Sequence, residues 1–341
     1  MTHCDAPRRD TKGVPQRCGD GLTELHFDRR THSVADDAFF AWPNLSKIAW
    51  HLGLDGVLDV AAPVLRAVVV ALDRYEPDVS DIVRHMVLPR AESRIGHRAF
   101  SHCRRLQFAA LPQGLLRIEK EAFKGCTMLV SAILPGGLGY IGNQAFAECT
   151  ALTSIVLPDR LTQMDAGAFE GSGLTSVSLP QSLDRVKDST FAKCVHLTAV
   201  TLPGGLVRLG YRAFSGCSGL SSLVLPDGLD RIGAFAFEGC TGLASVRLPR
   251  MLTKIGTCAF EGCVALAEVE LPDELVRIGT RSFRGCKALR TVRLPSKLED
   301  LGVNAFGECT RLAIVQLRDG SLNESDPKVV RAFDYPILFV R

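Results

Sequence analysis

The 341-residue chain has no uncharged apolar run near the roughly 18–20 residues that a membrane helix requires. Residues 57–72 come nearest, and Asp59, Pro63 and Arg66 interrupt them, so no membrane span is expected. The residues after Met1 are polar and carry Arg8, Arg9, Lys12 and Arg17 where a secretion leader would have an apolar core, so no leader is expected. Reaction motifs are missing too: there is no Gly-x-Ser-x-Gly, no His-Glu-x-x-His and no glycine-rich phosphate loop. The 12 cysteines include no Cys-x-x-Cys pair, the common spacing of a zinc or dithiol site. A net charge of +3 is small for this length and argues against a dedicated, specific nucleic-acid binder. The expectation is therefore a protein that is not an enzyme and holds no cofactor or metal.

What the chain does have is a period. Phe recurs at 100, 123, 146, 169, 191, 214, 237, 260, 283 and 306, in steps of 23 except one of 22. Leu-Pro pairs keep the same beat from Pro89 to Pro295. Within one unit, Leu152, Ile155 and Leu157 alternate as a short strand with one buried face should. Pro158 has no amide hydrogen and ends that strand. A second apolar pair follows, as in Leu229 and Ile232, and then Gly233, whose access to positive φ suits a corner. Phe237, Cys240 and Leu243 are spaced by three, which predicts a single tight helical turn. A unit this short cannot close its own core and must stack on a neighbour. With strands roughly 4.8 Å apart, ten Phe-bearing units make a rod about 50 Å long. The expected fold is a repeat solenoid: a right-handed coil with a parallel β-sheet along one face, and short turns and single helical turns elsewhere.

The pattern Leu-x-x-Val/Ile-x-Leu-Pro, then Leu-x-x-Ile-Gly, then Ala-Phe-x-Gly-Cys resembles the leucine-rich repeats of the BspA-like, or Treponema-type, class. The resemblance covers roughly residues 83–317 and speaks to fold more than function, because the shared residues are core residues. It also implies a functional alternative, since members of that class include surface proteins that adhere to matrix or host components. One unit departs from the pattern: after Phe169 it is a residue short, with Ser172 in the Cys place. The deletion falls in a loop, so stacking on either side is expected to survive.

The domain reading places a disordered tail over residues 1–20 and an N-terminal cap region over 21–82. Within the cap, residues 33–50 form a degenerate repeat in which Phe39, Leu45 and Ile48 keep the spacing and Trp42 takes the Cys place. Short helices broken near Pro63 are expected over 55–75, making the cap helical; a separate small module is the alternative. Residues 83–317 form the leucine-rich-repeat solenoid and 318–341 a C-terminal cap. In that cap Ala332-Phe333 echoes the repeat element out of place, and 335–340 read as a closing strand.

Four sets of residues are candidates for function. Nine cysteines (103, 126, 149, 194, 217, 240, 263, 286 and 309) fall three residues after a repeat Phe. They read as a column of buried thiols, since stacked parallel side chains suit a disulfide poorly. Cys258 is out of phase and is expected to be exposed. Reduced thiols fit a cytoplasmic location, with the extracellular surface as the alternative. His85, His97 and His102 lie near the first regular coil in different phases and read as solvated. A basic stripe of Arg94, Arg117, Arg185, Arg208, Arg231, Lys254 and Arg277 precedes the inward Ile, Val or Leu of the second apolar pair. It offers a surface for an anionic partner, unless Glu148, Glu170, Glu238, Glu261 and Glu308 offset it. Finally, the outward positions of the sheet face include Phe108, Ile133, Val156, Thr201, Val224, Arg247, Glu270 and Arg293, apolar or small in the first half and charged in the second. The expected function is a protein-interaction scaffold that binds a protein partner on this face.

Overall fold

The computed structural model describes residues 93–317, 322–334 and 338–340, and the backbone of the strands Glu24–Phe27, Lys47–Trp50 and His85–Val87. The regular array is a parallel-strand solenoid with almost no helix. Each coil hydrogen-bonds to the next through three runs of backbone.

The first run is the Leu-Pro strand. Ser222–Val224 pairs with Ser245–Arg247, and each partner lies one repeat further along the chain. The Leu-Pro strands form four separate ladders, broken after Ser131–Ile133, after Ala199–Thr201 and after Ser245–Arg247, and the first of these breaks spans the one-residue deletion. The Phe stacking survives there as expected. Phe169 and Phe191 lie 5.8 Å apart at 5° between ring planes.

The second run is the pair that was expected to make a corner. Arg231–Ile232 instead pairs in register with Arg208–Leu209 on one side and Lys254–Ile255 on the other. Such two-residue strands form a second parallel ribbon in two parts, four strands from Arg94–Ile95 to Gln163–Met164 and six from Arg185–Val186 to Asp300–Leu301, with the break at the one-residue deletion. The glycine after Ile is not there for positive φ. A Cβ on Gly233 would lie 2.5 Å from the carbonyl oxygen of Gly210, so glycine lets successive coils touch backbone to backbone.

The third run carries Phe, and here the predicted helical turn does not form. An i→i+3 bond remains, Cys240 N–H donating to Phe237 O at 3.1 Å. However, the residues two before and two after Phe are left-handed, as at Phe235 (φ 59°) and Gly239 (φ 68°). They turn alternate amides along the rod axis. The N–H groups of Phe235, Phe237 and Gly239 donate to Thr257, Ala259 and Glu261 of the next coil at 2.7–2.8 Å. A helix would have directed those groups within the turn.

The core is stacked in columns. Phe rings run without interruption from Phe100 to Phe306, with neighbouring centroids 5.1 to 5.8 Å apart. Beside them runs the thiol column. Cys240 Sγ donates to the carbonyl of Phe214 at 3.2 Å, and Cys126 repeats the contact with Phe100 at 3.0 Å. That carbonyl already accepts one backbone N–H, so the thiol fills its second acceptor direction. Ser172, standing in for Cys, has its Oγ 3.3 Å from Cys194 Sγ. Cys258 corrects the expectation of exposure: it is only 5% exposed. The same left-handed position on the flanking coils holds Phe235 and Arg281.

The last coil is built from a different sequence in the same geometry. A short helix, α1 (Pro327–Val330), starts at Asp326, whose carboxylate accepts the Lys328 N–H at 2.8 Å. Phe333 then stacks on Phe306 at 5.2 Å, so the displaced Ala-Phe element regains register in space. Asn304 and Phe306 donate to the carbonyls of Arg331 and Ala332. The third amide, Glu308 N–H, is capped by the Asp334 carboxylate at 2.9 Å. Leu338–Val340 closes the edge, parallel to Ile314–Leu317.

At the other end, Glu24–Phe27 pairs with Lys47–Trp50 at the repeat offset of 23. The tail over 1–20, the degenerate-repeat residues Phe39, Trp42 and Leu45, and the helices expected over 55–75 lie outside the described residues.

Candidate interaction surfaces

The eight predicted sheet-face positions are all exposed. Register sets Ala110 beside Ile133, Ser178 beside Thr201, Val224 beside Arg247, and Arg293 beside Gln316. Val156 is 84% exposed, Val224 66% and Ile133 65%, and Phe108 is exposed one row away beside Ser131. Thr201, Arg247, Glu270 and Arg293 are exposed in the same row. Sequence reading missed two members. The closing strand places exposed Leu338 beside Ile314 and exposed Val340 beside Gln316. The signal was the alternation Leu338-Phe339-Val340, with Phe339 packed at 5.9 Å on Phe333.

The basic stripe lies on the second ribbon, and all seven of its members are exposed. It is two stretches rather than one. Arg94 pairs with Arg117; Tyr140 and Gln163 then interrupt the row. Arg185, Arg208, Arg231, Lys254 and Arg277 follow in unbroken register, and Asp300 ends them. The glutamates expected to offset the stripe do not reach it. Glu148, Glu170 and Glu238 pair on the Phe side with Lys124, Lys193 and Arg212, while Glu261 and Glu308 both meet Arg284. The stripe's own partners are local. Asp184 grips Arg185 through two contacts of 2.9 Å, Asp230 holds Arg231 at 3.0 Å, and Asp300 holds Arg277 at 3.1 Å. Arg208 and Lys254 form no ion pair among the described residues.

In the interruption, the Arg117 guanidinium sits 3.8 Å over the Tyr140 ring, and Tyr140 donates to Asp165 at 2.7 Å. Burial, joined by that hydrogen bond to a carboxylate, pushes the Tyr140 phenol up to about 12. Burial alone would raise Asp165, but hydrogen bonds from Lys187, Tyr140 and Gln163 together hold it below the usual carboxylate range.

His97 and His102 are exposed, and no group of three His, Cys, Asp or Glu side chains converges among the described residues. Burial pushes the column thiols up, to about 12 at Cys103 and Cys240, so they are protonated and sealed at neutral pH. No helix among the described residues is long and apolar enough to cross a membrane.

Comparison with solved structures finds a leucine-rich repeat protein from Bacteroides ovatus at 25% identity, covering 73% of this chain and 87% of that one, with a TM-score of 0.40. A leucine rich cell surface protein from Faecalibacterium prausnitzii is 24% identical, covers 75% and 87%, and has a TM-score of 0.48. A leucine rich repeat protein from T. pallidum is 25% identical, covers 67% and 78%, and has a TM-score of 0.31. No curated protein matches the chain. The profile of the BspA type leucine rich repeat region matches in six copies, over residues 93–221 and 208–326. Those residues are the ones that supply the Phe and Cys columns and both ribbons, and the chain belongs to the BspA type leucine-rich-repeat family.

Proposed function

We propose that this chain is a non-enzymatic recognition module that binds a protein partner on its Leu-Pro strand face. The observation behind this reading is the exposure of Ile133, Val156 and Val224 on a face whose backbone is held by stacking on both sides. Isolated exposed apolar residues are ordinary, but Phe108, Ile133 and Val156 belong to consecutive coils and form one patch. The face runs for about 50 Å, long enough for an interface of standard size. Its charged half, with Arg247, Glu270 and Arg293, supplies a polar border that sets orientation more than affinity.

The test is capture of partners from native lysate by the wild type and by a variant carrying Phe108→Ser, Ile133→Thr and Val156→Thr. All three side chains are exposed or half-exposed, so circular dichroism and melting should match the wild type. The proposal expects a specific partner to be lost by the folded variant. Equal capture of that partner by both proteins would remove the patch from consideration.

A further inference from the structure

The cation row on the second ribbon has a finer pattern than a stripe of like charge. From Arg185 to Arg277 every second member is paired with an aspartate; the members between, Arg208 and Lys254, form no ion pair among the described residues, although Arg208 lies within electrostatic reach of the Asp230 carboxylate that Arg231 holds. Two coils separate these two cations, a distance of about 10 Å at ordinary strand spacing. Beside the row runs a lane of glycines, Gly210, Gly233 and Gly279 half-buried and Gly256 buried, where successive coils meet backbone to backbone.

Across the lane from Arg208 stand two aromatic side chains. Tyr211 is 42% exposed and meets Phe235 at 5.4 Å between centroids, at 68°. The Arg212 guanidinium lies 5.2 Å from each ring and holds the pair in place. Phe235 occupies a left-handed position (φ 59°) that a bulky side chain rarely adopts. The same position is left-handed in every coil from Phe100 to Phe306 and takes Arg98, Glu121, Gln144, Gly167, Ser189, Arg212, Cys258, Arg281 or Asn304 elsewhere, so it selects no particular side chain. Since the position accepts many side chains, an aromatic ring is not required there by the fold, and with exposed Tyr211 it makes an aromatic pair on the surface.

We propose that this lane binds a linear acidic polysaccharide that carries one carboxylate for every two sugar rings. Its carboxylates lie on Arg208 and Lys254, and a sugar ring packs against Tyr211 and Phe235. Arg208 offers a planar fork for a carboxylate, and Lys254 a point charge. The neutralised pairs, Arg185 with Asp184 and Arg231 with Asp230, present both donors and acceptors to the hydroxyls between. A densely charged polyanion fits poorly, because its phosphates or sulfates would meet Asp184, Asp230 and Asp300. An acidic peptide would leave the aromatic pair unused.

The experiment titrates the full chain with a hyaluronan decasaccharide, a polymer with that charge spacing, by calorimetry at low and physiological salt. The comparison ligands are a heparin fragment, single-stranded DNA of similar length and phosphatidylserine vesicles. The proposal expects hyaluronan to bind, and Arg208→Gln and Lys254→Gln each to weaken it about tenfold. Arg185→Gln, already neutralised, should change it less than about threefold. Phe235→Asn keeps a residue that tolerates the left-handed backbone. It should melt at a higher temperature yet bind several-fold more weakly, which a purely structural role for Phe235 would not produce. No hyaluronan binding, tighter binding of DNA, heparin or vesicles, or equal losses from Arg185→Gln and Arg208→Gln would each overturn the assignment.

Discussion

Cys240 is small, fully buried, and placed so that its thiol reaches the carbonyl of Phe214 in the preceding coil. Alanine would leave that acceptor direction empty, and a larger residue would push the coils apart. Burial raises the Cys240 and Cys309 thiols to about 12, against about 8.5 in an unfolded chain. The folded state then keeps protons that the unfolded state releases. Stability is full below about pH 8.5 and falls as pH rises toward 12, by up to about 1.4 kcal/mol per pH unit for each such thiol. Urea midpoints at pH 8 and pH 10 should therefore differ clearly, and a flat profile would contradict the sealed column. The same seal removes an inference drawn from cysteine usage. Thiols this buried and held protonated at neutral pH react slowly with oxidants, so their state does not by itself report location. At the neighbouring column, Phe237→Ala should cost about 3–5 kcal/mol, since its ring is stacked on both faces.

Within one coil, two kinds of glycine do different work. Gly233 is required by close approach to Gly210, whereas Gly239 is required by its φ of 68°, and a Cβ there would meet Gly216 only at an ordinary 3.9 Å. Gly233→Ala should therefore destabilise by about 2–3 kcal/mol through overpacking. Gly239→Asn should stay within about 1 kcal/mol, because asparagine accepts the left-handed region. Chemical denaturation of the two variants separates the causes. The end coil offers another element-scale test. Asp334→Ala removes the acceptor of the Glu308 amide and should cost about 1 kcal/mol. Amide exchange at Glu308 should quicken while exchange at Phe237 stays slow. The glycine role was misread from sequence because a residue's partner 23 positions away is invisible in its local context. The helical turn was misread for a related reason. A spacing of three fits any i→i+3 turn, and only the demand of the next coil for hydrogen bonds selects the left-handed version.

At the scale of the molecule, stability is a sum over coils and the contacts between them. Removing residues 241–263, one full period, should leave a folded and shorter rod with a lower melting temperature. Removing 241–258 shifts every later side chain out of its column and should abolish cooperative melting by circular dichroism. The natural one-residue deletion beyond Phe169 marks the tolerance: the Phe column crosses it, while the second ribbon breaks there, between Gln163–Met164 and Arg185–Val186. The sequence by itself determined the coil, its period, the residues that face inward and the surface that carries Phe108, Ile133 and Val156. It could do so because a unit of 23 residues has only one way to bury its apolar side chains, by stacking in phase. The tertiary structure decided that the Arg-Ile pairs form a second ribbon, that Phe333 rejoins its column after an irregular stretch, and that Cys258 is covered. It also decided which cations are neutralised. Several carboxylates stand within side-chain reach of each arginine once coils are stacked, and the backbone path between coils settles which of them meet. That selection leaves Arg208 and Lys254 as the members of the row from Arg185 to Arg277 without an ion pair among the described residues.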